Sequence, residues 1–294
     1  MEDLVTVTYN RERGQMRLQA ASIQRFLRPC RHWVIINEPN ADLMIWRRYL
    51  EPYYTEHELV LVSLEDLSLG TEYPGNLRQQ ACKLLISKRI QQDYLCLDTK
   101  NFFVKPAGLI EWNRYMGNGK LEFVNEPPQD WALYQPYPMG QNPIFRDTIR
   151  DYSLKLNVPE PRFYLQPSTP FKIDWATALN MLDPTDPVGT LTKNLQGETI
   201  EHPSEFIFYS LHMMDLIEPG TNIILNYELV KFRTLWYFDW ATESDKIKNL
   251  SDLIDTTNIK VFGIHSKLLD QCGPYEISCI NQWLKRLNIN YELV

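Results

Sequence analysis

The sequence has few cysteines and no long apolar run, and both absences exclude classes of protein. Its 5 cysteines are Cys30, Cys82, Cys96, Cys272 and Cys279, an odd number without a C-x-x-C pair. This pattern argues against a disulfide scaffold or a cysteine zinc site and favours a reducing compartment. No apolar stretch approaches the roughly 20 residues that cross a bilayer, and the acidic start Met1-Glu2-Asp3 is unlike a secretory signal. We therefore expect a cytoplasmic protein without a membrane span.

Excess positive charge is also missing. The 294 residues include 37 acidic and 30 basic side chains, which gives a formal net charge of −7. A protein that binds nucleic acid or an anionic membrane over a broad surface needs the opposite balance. Hydrophobic residues make up 44% and charged residues 23%, values that exclude global disorder. We expect a globular protein whose partners are neither nucleic acids nor membranes.

Motifs of several common enzyme classes are absent as well. No G-x-G-x-x-G follows the first apolar run, so a classical dinucleotide site lacks its phosphate-binding turn. The stretch Gly117-Asn118-Gly119-Lys120 lacks the upstream Gly and the following Ser or Thr of a Walker A loop. Neither G-x-S-x-G nor H-E-x-x-H occurs. These absences argue against classical dehydrogenases, P-loop enzymes, α/β-hydrolases and zinc metalloproteases.

The first hundred residues alternate between strand-like and helix-like patterns. Short apolar or β-rich runs predict strands, and apolar residues at helical spacing between them predict helices. Continuous apolar strands are typical of sheets that are covered on both faces. The predicted strands are Leu4 to Tyr9, Trp33 to Ile36, Leu59 to Val62 and Tyr94 to Asp98; the predicted helices are Met16 to Leu27, Leu43 to Leu50 and Asn76 to Gln91. This order predicts an α/β fold with a mostly parallel, doubly wound sheet flanked by helices.

The pattern changes after residue 106, where prolines become frequent and connections longer. Helices are predicted over Pro143 to Leu156, Lys172 to Leu182, Ser204 to Ile217 and Glu276 to Leu287. No internal repeat or low-complexity linker separates the two parts. We predict a single domain over residues 1–294, with a nucleotide-binding half (1–106) and an acceptor-side half (107–294). The second, Pro-rich half, with its C-terminal helix, is expected to pack on the cleft.

Polar residues follow three of the predicted strands at the point where each strand ends. They are Thr8-Tyr9-Asn10-Arg11, Asn37-Glu38 and Asp98-Thr99-Lys100-Asn101. Ligands of open parallel sheets bind outside the carboxyl ends of the strands. Asn76, Gln80 and Lys83 also share one face of a predicted helix. These groups are the candidates for a site that holds a phosphate or a metal.

The passage from Gln79 to Pro106 resembles GT-A-fold nucleotide-sugar glycosyltransferases. In that family a helix with a basic residue precedes an apolar strand that ends in D-x-D. The resemblance is closest to an uncharacterised glycosyltransferase-like family that reads D-x-K-N, as Asp98-Thr99-Lys100-Asn101 does. It covers about residues 3 to 106 and implies a GT-A-like, Rossmann-like fold. It also implies that Thr8, Tyr9 and Asn10 contact the nucleoside, and that Gln80, Lys83, Lys100 and Asn101 surround the diphosphate.

One position departs from the D-x-D pattern, because Lys100 stands where those families have a second Asp. Hard divalent cations need several oxygen ligands, so Asp98 alone would bind Mn²⁺ or Mg²⁺ weakly. Two alternatives stay open from the sequence. Either the diphosphate and His265 complete a metal site with Asp98, or Lys100 neutralises the diphosphate directly and the metal is optional.

Two later stretches resemble the same family more weakly. Glu205 follows the predicted helix cap Ser204. Either its negative charge is stabilised by the helix dipole at the start of the helix, or the carboxylate faces the acceptor and serves as a base. His265 ends an apolar strand, and Lys267 follows it. The resemblance implies that His265 ligates a cation and that Lys267 contacts the diphosphate.

Together these observations predict a hexosyltransferase-like glycosyltransferase. It would move a sugar from a nucleotide-diphosphate donor to a glycan or another hydroxyl acceptor, with Glu205 as base and Asp98 and His265 as metal ligands. One alternative is a degenerate protein that only binds a nucleotide or glycan, which Lys100 favours. The other is a nucleotidyltransferase on a related fold, for which Asn10-Arg11-Glu12-Arg13-Gly14 is a poor phosphate loop.

Overall fold

The computed structural model describes residues 1–107, 143–160, 169–215, 232–235, 240–255 and 259–293. The chain divides into two compact units. The first unit comprises Met1–Ser63, Cys96–Leu109 and Glu228–Val294, and the second comprises Leu64–Leu95 and Ile110–Tyr227. No helix in the described ranges combines the length and the apolar character that crossing a bilayer requires.

The described strands and α-helices are numbered here in chain order. The strands are β1 (Glu2–Thr8), β2 (Cys30–Ile36), β3 (Glu58–Val62), β4 (Tyr94–Asp98), β5 (Asn101–Phe103), β6 (Phe171–Ile173), β7 (Phe232–Leu235) and β8 (Val261–Ile264). The helices are α1 (Arg13–Phe26), α2 (Leu43–Leu50), α3 (Gly75–Leu85), α4 (Pro143–Leu156), α5 (Trp175–Leu179), α6 (Pro187–Thr192), α7 (Glu205–Asp215), α8 (Trp240–Lys248), α9 (Leu250–Asp255), α10 (Ser266–Leu269) and α11 (Pro274–Arg286).

The first unit is built on a parallel sheet. Its strands are neighbours in the order β3, β2, β1, β4, and the β1–β2 and β2–β3 pairs are parallel. From Asp3 to Thr8 every residue of β1 is buried, as expected for a strand covered on both faces. The predicted α/β class, with a mostly parallel sheet flanked by helices, is confirmed. The carboxyl ends of β1 and β2 lie together, with Thr8 opposite Ile36.

A small second sheet in the first unit carries the chain out of β4. Its strand order is β5-β8-β7, with β5 antiparallel and β7 parallel to β8. Phe102, Phe262 and Trp283 form an edge-to-face aromatic cluster, with ring centroids 5.3 to 6.0 Å apart. Because these rings are buried, they fix β5 and β8 against α11. This packing sets the direction in which the turn after β4 and the end of β8 point.

The described part of the second unit is mainly helical and includes the short strand β6. Its core contains Phe171 stacked on Phe206 at 4.5 Å and Tyr152 packed edge-on against Phe208 at 5.1 Å. Lys172 of β6 is buried and forms a 2.9 Å ion pair with Asp93. These contacts hold α7, the helix that begins at Glu205, against β6 and α4.

The helix predicted over Lys172 to Leu182 is wrong at its start. Phe171–Ile173 is a strand, and α5 begins only at Trp175. The reason is that Asp174 caps the helix, since its side chain accepts the Thr177 N–H at 2.8 Å. The prolines predicted to shape the chain between residues 109 and 142 lie outside the described residues.

Gly263 of β8 provides the first test of this architecture. A Cβ atom there would lie 2.8 Å from Thr234 Oγ1 and 2.9 Å from Asn101 Nδ2. We expect Gly263→Ala to lower the free energy of unfolding by about 1–3 kcal/mol, because overpacked sites must displace their neighbours. Urea titrations would measure the change.

Thr234→Ala is the matched control, since it removes the nearest obstructing side chain. The double variant Gly263→Ala/Thr234→Ala should be more stable than the sum of the two single effects predicts. A Gly263→Ala protein that unfolds at the wild-type urea concentration would contradict the close packing of this strand.

Candidate functional site

The turn between β4 and β5 carries the Asp-x-Lys-Asn stretch and is tightly braced. The Asn101 side-chain oxygen accepts the Asp98 N–H at 3.0 Å, and Thr99 Oγ1 donates to the Val7 carbonyl at 3.1 Å. Lys100 turns back to form an ion pair with Asp98, in which both side chains are about five-sixths buried. We call Glu12, Asp98, Thr99, Lys100, Asn101 and His265 the strand-end cluster. Asn101 is fully buried, so its amide supports the turn.

Glu12 belongs to this cluster although the sequence did not single it out. It occupies the N-cap position of α1 without a side-chain cap bond, and its carboxyl group contacts the Thr99 hydroxyl. Burial is the largest effect and raises the pKa of Glu12 above its ordinary value, and the charge of Asp98 adds to the rise. The Thr99 contact and the charges of Arg11 and Lys100 act in the opposite direction. The sequence signal that could have identified Glu12 is its position just after β1 and directly before α1. A carboxyl group therefore stands beside the Asp98–Lys100 pair.

His265 ends β8 and caps the short helix α10. Its Nδ1 atom accepts the Lys267 N–H at 3.2 Å, so the neutral ring carries its proton on Nε2. Burial, followed by the charges of Lys100 and Lys267, lowers the pKa of His265 to about 4. A neutral imidazole with Nδ1 engaged is a hydrogen-bond donor through Nε2–H.

These residues do not fit a resident divalent cation. The described part of the chain contains no group of three or more His, Cys, Asp or Glu side chains placed to hold a metal. The Asp98 carboxylate is paired with Lys100, and the lone pair of His265 Nδ1 accepts a backbone N–H. Hard cations require more free oxygen ligands than this set offers. Lys100 is therefore the positive charge that the turn between β4 and β5 supplies.

The residues predicted to contact the nucleoside lie at the end of β1. Thr8 is fully buried, and its hydroxyl has no hydrogen-bond partner among the described residues. Asn10 is exposed; its backbone N–H donates to Glu38 at 2.6 Å, and its side-chain NH₂ also contacts that carboxylate. The guanidinium of Arg11 lies 5.2 Å from the centre of the Tyr9 ring. The ends of β1 and β2 are therefore joined through Asn10 and Glu38.

A chain of buried hydrogen bonds supports the turn from below. The Gln19 side-chain NH₂ donates to the carbonyls of Asp98 at 2.8 Å and Asn101 at 2.7 Å. The Gln19 oxygen accepts from the Thr6 hydroxyl at 2.8 Å. His32 links Thr6, 3.0 Å from its Nε2, to the Tyr54 hydroxyl, 2.7 Å from its Nδ1. We call Tyr54, His32, Thr6 and Gln19 the buried relay.

The bonds that Gln19 makes at one end of the buried relay determine which atom donates and which accepts in every other bond of the relay. Gln19 uses both amide protons on carbonyls, so its oxygen must accept the Thr6 proton. Thr6 then has only a lone pair for His32, which must carry its proton on Nε2 and accept the Tyr54 proton on Nδ1. Protonated His32 would have no lone pair for Tyr54. Burial lowers the pKa of His32 to about 3, which keeps the ring neutral.

In the second unit, two of the predicted site residues meet each other. Lys83 of α3 forms a 2.8 Å ion pair with Glu205, the first residue of α7, and the two side chains are 5% and 7% exposed. The Lys83 ammonium also lies 4.8 Å from the centre of the Phe206 ring. An ion pair this deep loses its hydration and depends on its partner for stability.

The chain around Glu205 is fixed by further bonds within the second unit. Gln80 donates to the Pro203 carbonyl at 2.9 Å, and the Ser204 N–H donates to the Tyr152 hydroxyl at 3.2 Å. Ser204 also caps α7, as predicted, through a 3.4 Å bond from Ile207 N–H. The predicted polar face of Gln80 and Lys83 thus contacts the segment 203–205. Asp98, Lys100, Asn101, His265 and Lys267 belong to the first unit.

No protein-family model and no curated protein sequence matches the chain. Similar solved structures include mouse xyloside xylosyltransferase 1, at 12% identity and a TM-score of 0.46, covering 89% of this chain and 97% of that one. The galactosyltransferase LgtC, solved with donor and acceptor sugar analogs, has 13% identity and a TM-score of 0.47, covering 97% and 94%. The bifunctional glycosyltransferase WbbM has 12% identity and a TM-score of 0.47, covering 95% of this chain and 51% of that one. At TM-scores below 0.5 these likenesses assign no family or activity to this chain.

The buried relay predicts a pH dependence of stability. His32 has a pKa of about 3 in the folded protein against an ordinary 6.5, so its contribution is complete above pH 6.5 and is lost as the pH falls towards 3. Between pH 7 and pH 5, His32 should lower the free energy of unfolding by about 2 kcal/mol. We expect His32→Gln to show a correspondingly flatter pH profile in denaturant titrations.

The matched control is His202→Gln, at an exposed position in the second unit. This variant should keep the wild-type slope. Equal slopes in His32→Gln and the wild type would mean that His32 is not held neutral by burial.

The Lys83–Glu205 pair predicts strong coupling between two distant positions. Lys83→Met and Glu205→Gln should each cost about 3–5 kcal/mol of unfolding free energy, because each leaves a buried group without its partner. The double variant should cost much less than the sum of the two. Chemical denaturation of the four proteins measures the coupling.

Arg150 and Asp147 provide a control pair on α4, since they form a 3.0 Å ion pair with side chains 53% and 66% exposed. Removing that pair should cost under about 1 kcal/mol. Single changes at Lys83 and Glu205 as mild as this control would contradict the buried pairing.

Proposed function

We propose that the protein is a glycosyltransferase that moves a sugar from a nucleotide-diphosphate donor to a hydroxyl acceptor. The strand-end cluster is the single observation that carries this proposal. It combines an ion-paired lysine after β4 and a partly buried carboxyl group after β1 with a neutral histidine after β8. Open parallel sheets bind ligands at the carboxyl ends of their strands, where the first two groups lie. The D-x-K-N resemblance supports the same reaction.

Departure of a nucleoside diphosphate creates negative charge that the protein must stabilise. Fixed cations and hydrogen-bond donors aimed at the developing charge are the strongest means of doing so. In this proposal Lys100 supplies the charge, and Lys267, exposed one residue into α10, adds a second. His265 donates through Nε2–H. Both lysines also lower the pKa of His265, so the charge of each acts at that ring.

Asp98 has a positioning role in the proposal. Its carboxylate holds the Lys100 ammonium, and its backbone N–H is held by Asn101. No metal-dependent step is included, because the donor set does not fit a resident cation. Binding of the nucleoside by Thr8, Tyr9 and Asn10 remains part of the proposal, although Thr8 must first become accessible.

The base that would deprotonate the acceptor is predicted to be Glu205. Its carboxylate is bonded to Lys83, so it must exchange that bond for an acceptor hydroxyl before it can act. The contribution of the Lys83–Glu205 ion pair to stability does not depend on the diphosphate site. Loss of transfer in a Glu205→Gln protein that still binds the donor would support the base, provided that the protein remains folded.

Calorimetry with uridine and guanosine diphosphates tests the proposal directly. We expect binding that persists when EDTA replaces Mn²⁺, because Lys100 provides the countercharge. Lys100→Met should weaken binding about tenfold or more, the range for losing a charge-assisted hydrogen bond. Incubation with the corresponding nucleotide sugars then separates transfer or donor hydrolysis from binding alone.

Lys88→Met is the control, because Lys88 is exposed and lies outside the cluster. It should bind both nucleotides like the wild type. Binding that disappears in EDTA, or an unchanged affinity in Lys100→Met, would contradict the role given to Lys100. Binding without turnover of any nucleotide sugar would leave a nucleotide-binding protein in place of a transferase.

A further inference from the structure

A separate cavity of about 1020 Å³ lies within the first unit, next to α1. Its lining includes Arg11 and Arg17, Tyr49 and Tyr53, and Lys285 with the segment 288–293. Arg11 lines the cavity, but Thr8, Tyr9 and Asn10 at the end of β1 do not. No residue of the strand-end cluster lines it.

Arg17 is held rigidly in this cavity by aromatic side chains. Its Nε and Nη2 atoms donate to the Tyr53 hydroxyl at 3.0 and 2.7 Å. The guanidinium lies 4.8 Å from the ring centre of Tyr49, 5.4 Å from Tyr53 and 5.6 Å from Tyr291. These contacts already restrict the long arginine side chain in the free protein, so less conformational entropy is lost when it binds a ligand. The guanidinium is therefore prepared in one orientation.

The part of the lining that comes from α11 and the segment after it is also fixed by specific bonds. The Asn281 side chain of α11 donates to the Leu293 carbonyl at 2.9 Å and accepts the Leu293 N–H at 2.8 Å. Tyr291 comes close to α1, because a Cβ atom at Gly14 would lie only 3.1 Å from its hydroxyl. Residues 288–293, which follow α11, therefore form a fixed wall of the cavity.

The cavity is lined by three basic and two acidic side chains. Across the described part of the chain, Arg11, Arg17 and Lys285 form no ion pair with a carboxylate. Two acids, Asp270 and Glu292, also line the cavity and can accept hydroxyl protons. Fixed cations favour a carboxylate or phosphate, and surrounding carboxylates, amides and tyrosine hydroxyls favour a ligand with many hydroxyl groups.

We propose that this cavity binds a carbohydrate that carries one anionic group, either a carboxylate or a phosphate. Arg17 holds the anionic group, with Lys285 as a second cation. Asp270 and Glu292 accept bonds from the sugar hydroxyls, and the Tyr291 hydroxyl adds a polar contact. This binding is independent of the reaction proposed above.

Titration calorimetry with glucuronic acid and glucose 6-phosphate tests the site, with glucose and inorganic phosphate as reference ligands. We expect millimolar or tighter binding of both anionic sugars and binding of either reference ligand weaker by about tenfold. Arg17→Gln should weaken the anionic sugars about tenfold, and Lys285→Gln about threefold. Comparing the two anionic sugars identifies whether carboxylate or phosphate is preferred.

Arg25→Gln is the matched control, because Arg25 is an exposed arginine of the same helix that does not line the cavity. It should bind like the wild type. Tyr291→Phe keeps the ring beside Arg17 but removes the hydroxyl, so it tests the site even if Arg17→Gln does not fold. Arg17→Gln that folds should still bind nucleoside diphosphates as the wild type does, which separates this site from the strand-end cluster.

Three results would overturn the proposal. The first is no binding of either anionic sugar at about 10 mM, far above a useful dissociation constant. The second is equal affinity for inorganic phosphate and glucose 6-phosphate, which would leave an anion site without sugar recognition. The third is unchanged affinity for the anionic sugars in Arg17→Gln, Lys285→Gln and Tyr291→Phe.

Discussion

The two hydrogen bonds from the Gln19 amide to the Asp98 and Asn101 carbonyls are the constraint on which the candidate site depends. They join α1 to both ends of the turn that carries Lys100. Because the Gln19 side chain has no other proton to give, its oxygen must accept from Thr6, and the order of bonds through His32 follows. Ser22 strengthens the same junction, since its hydroxyl accepts the Phe103 N–H at 3.0 Å. A helix, the parallel sheet and the second sheet therefore meet at one turn.

The elements that the sequence predicted well are those whose signal is local. The α2 helix, Leu43–Leu50, has the predicted bounds, because an apolar face and the Asp42 cap lie within a few residues. The strands β1, β2 and β4 were found because almost all of their residues are buried and their apolar runs are continuous. The edge strand β3 is only partly buried, but its run Leu59 to Val62 is also continuously apolar. Strand β6 was missed because the signal that separates it from α5 is a single cap, Asp174.

The parts of the site that the sequence did not reveal depend on residues distant along the chain. The role of Glu12 arises from the Thr99 hydroxyl, and that of Gln19 from two carbonyls beyond β4. Thr6, Gln19 and His32 are polar, so a pattern of hydrophobic residues treats them as exposed, whereas all of them are fully buried. Lys83 and Glu205 were both selected, but as separate contacts to substrate. Their mutual ion pair could only be seen once α3 and α7 were packed in the second unit.

The lysine in the Asp-x-Lys-Asn turn changes what the turn can hold. A turn with two carboxylates is strongly negative, so it meets a diphosphate only through a divalent cation between them. Here Asp98 and Lys100 neutralise each other, and the fully buried Asn101 adds no charge. A turn without net charge can approach an anion directly, and Lys267, whose charge also acts on His265, adds a positive charge. The Gln19 bonds make this arrangement rigid, because they fix the backbone that carries both charges.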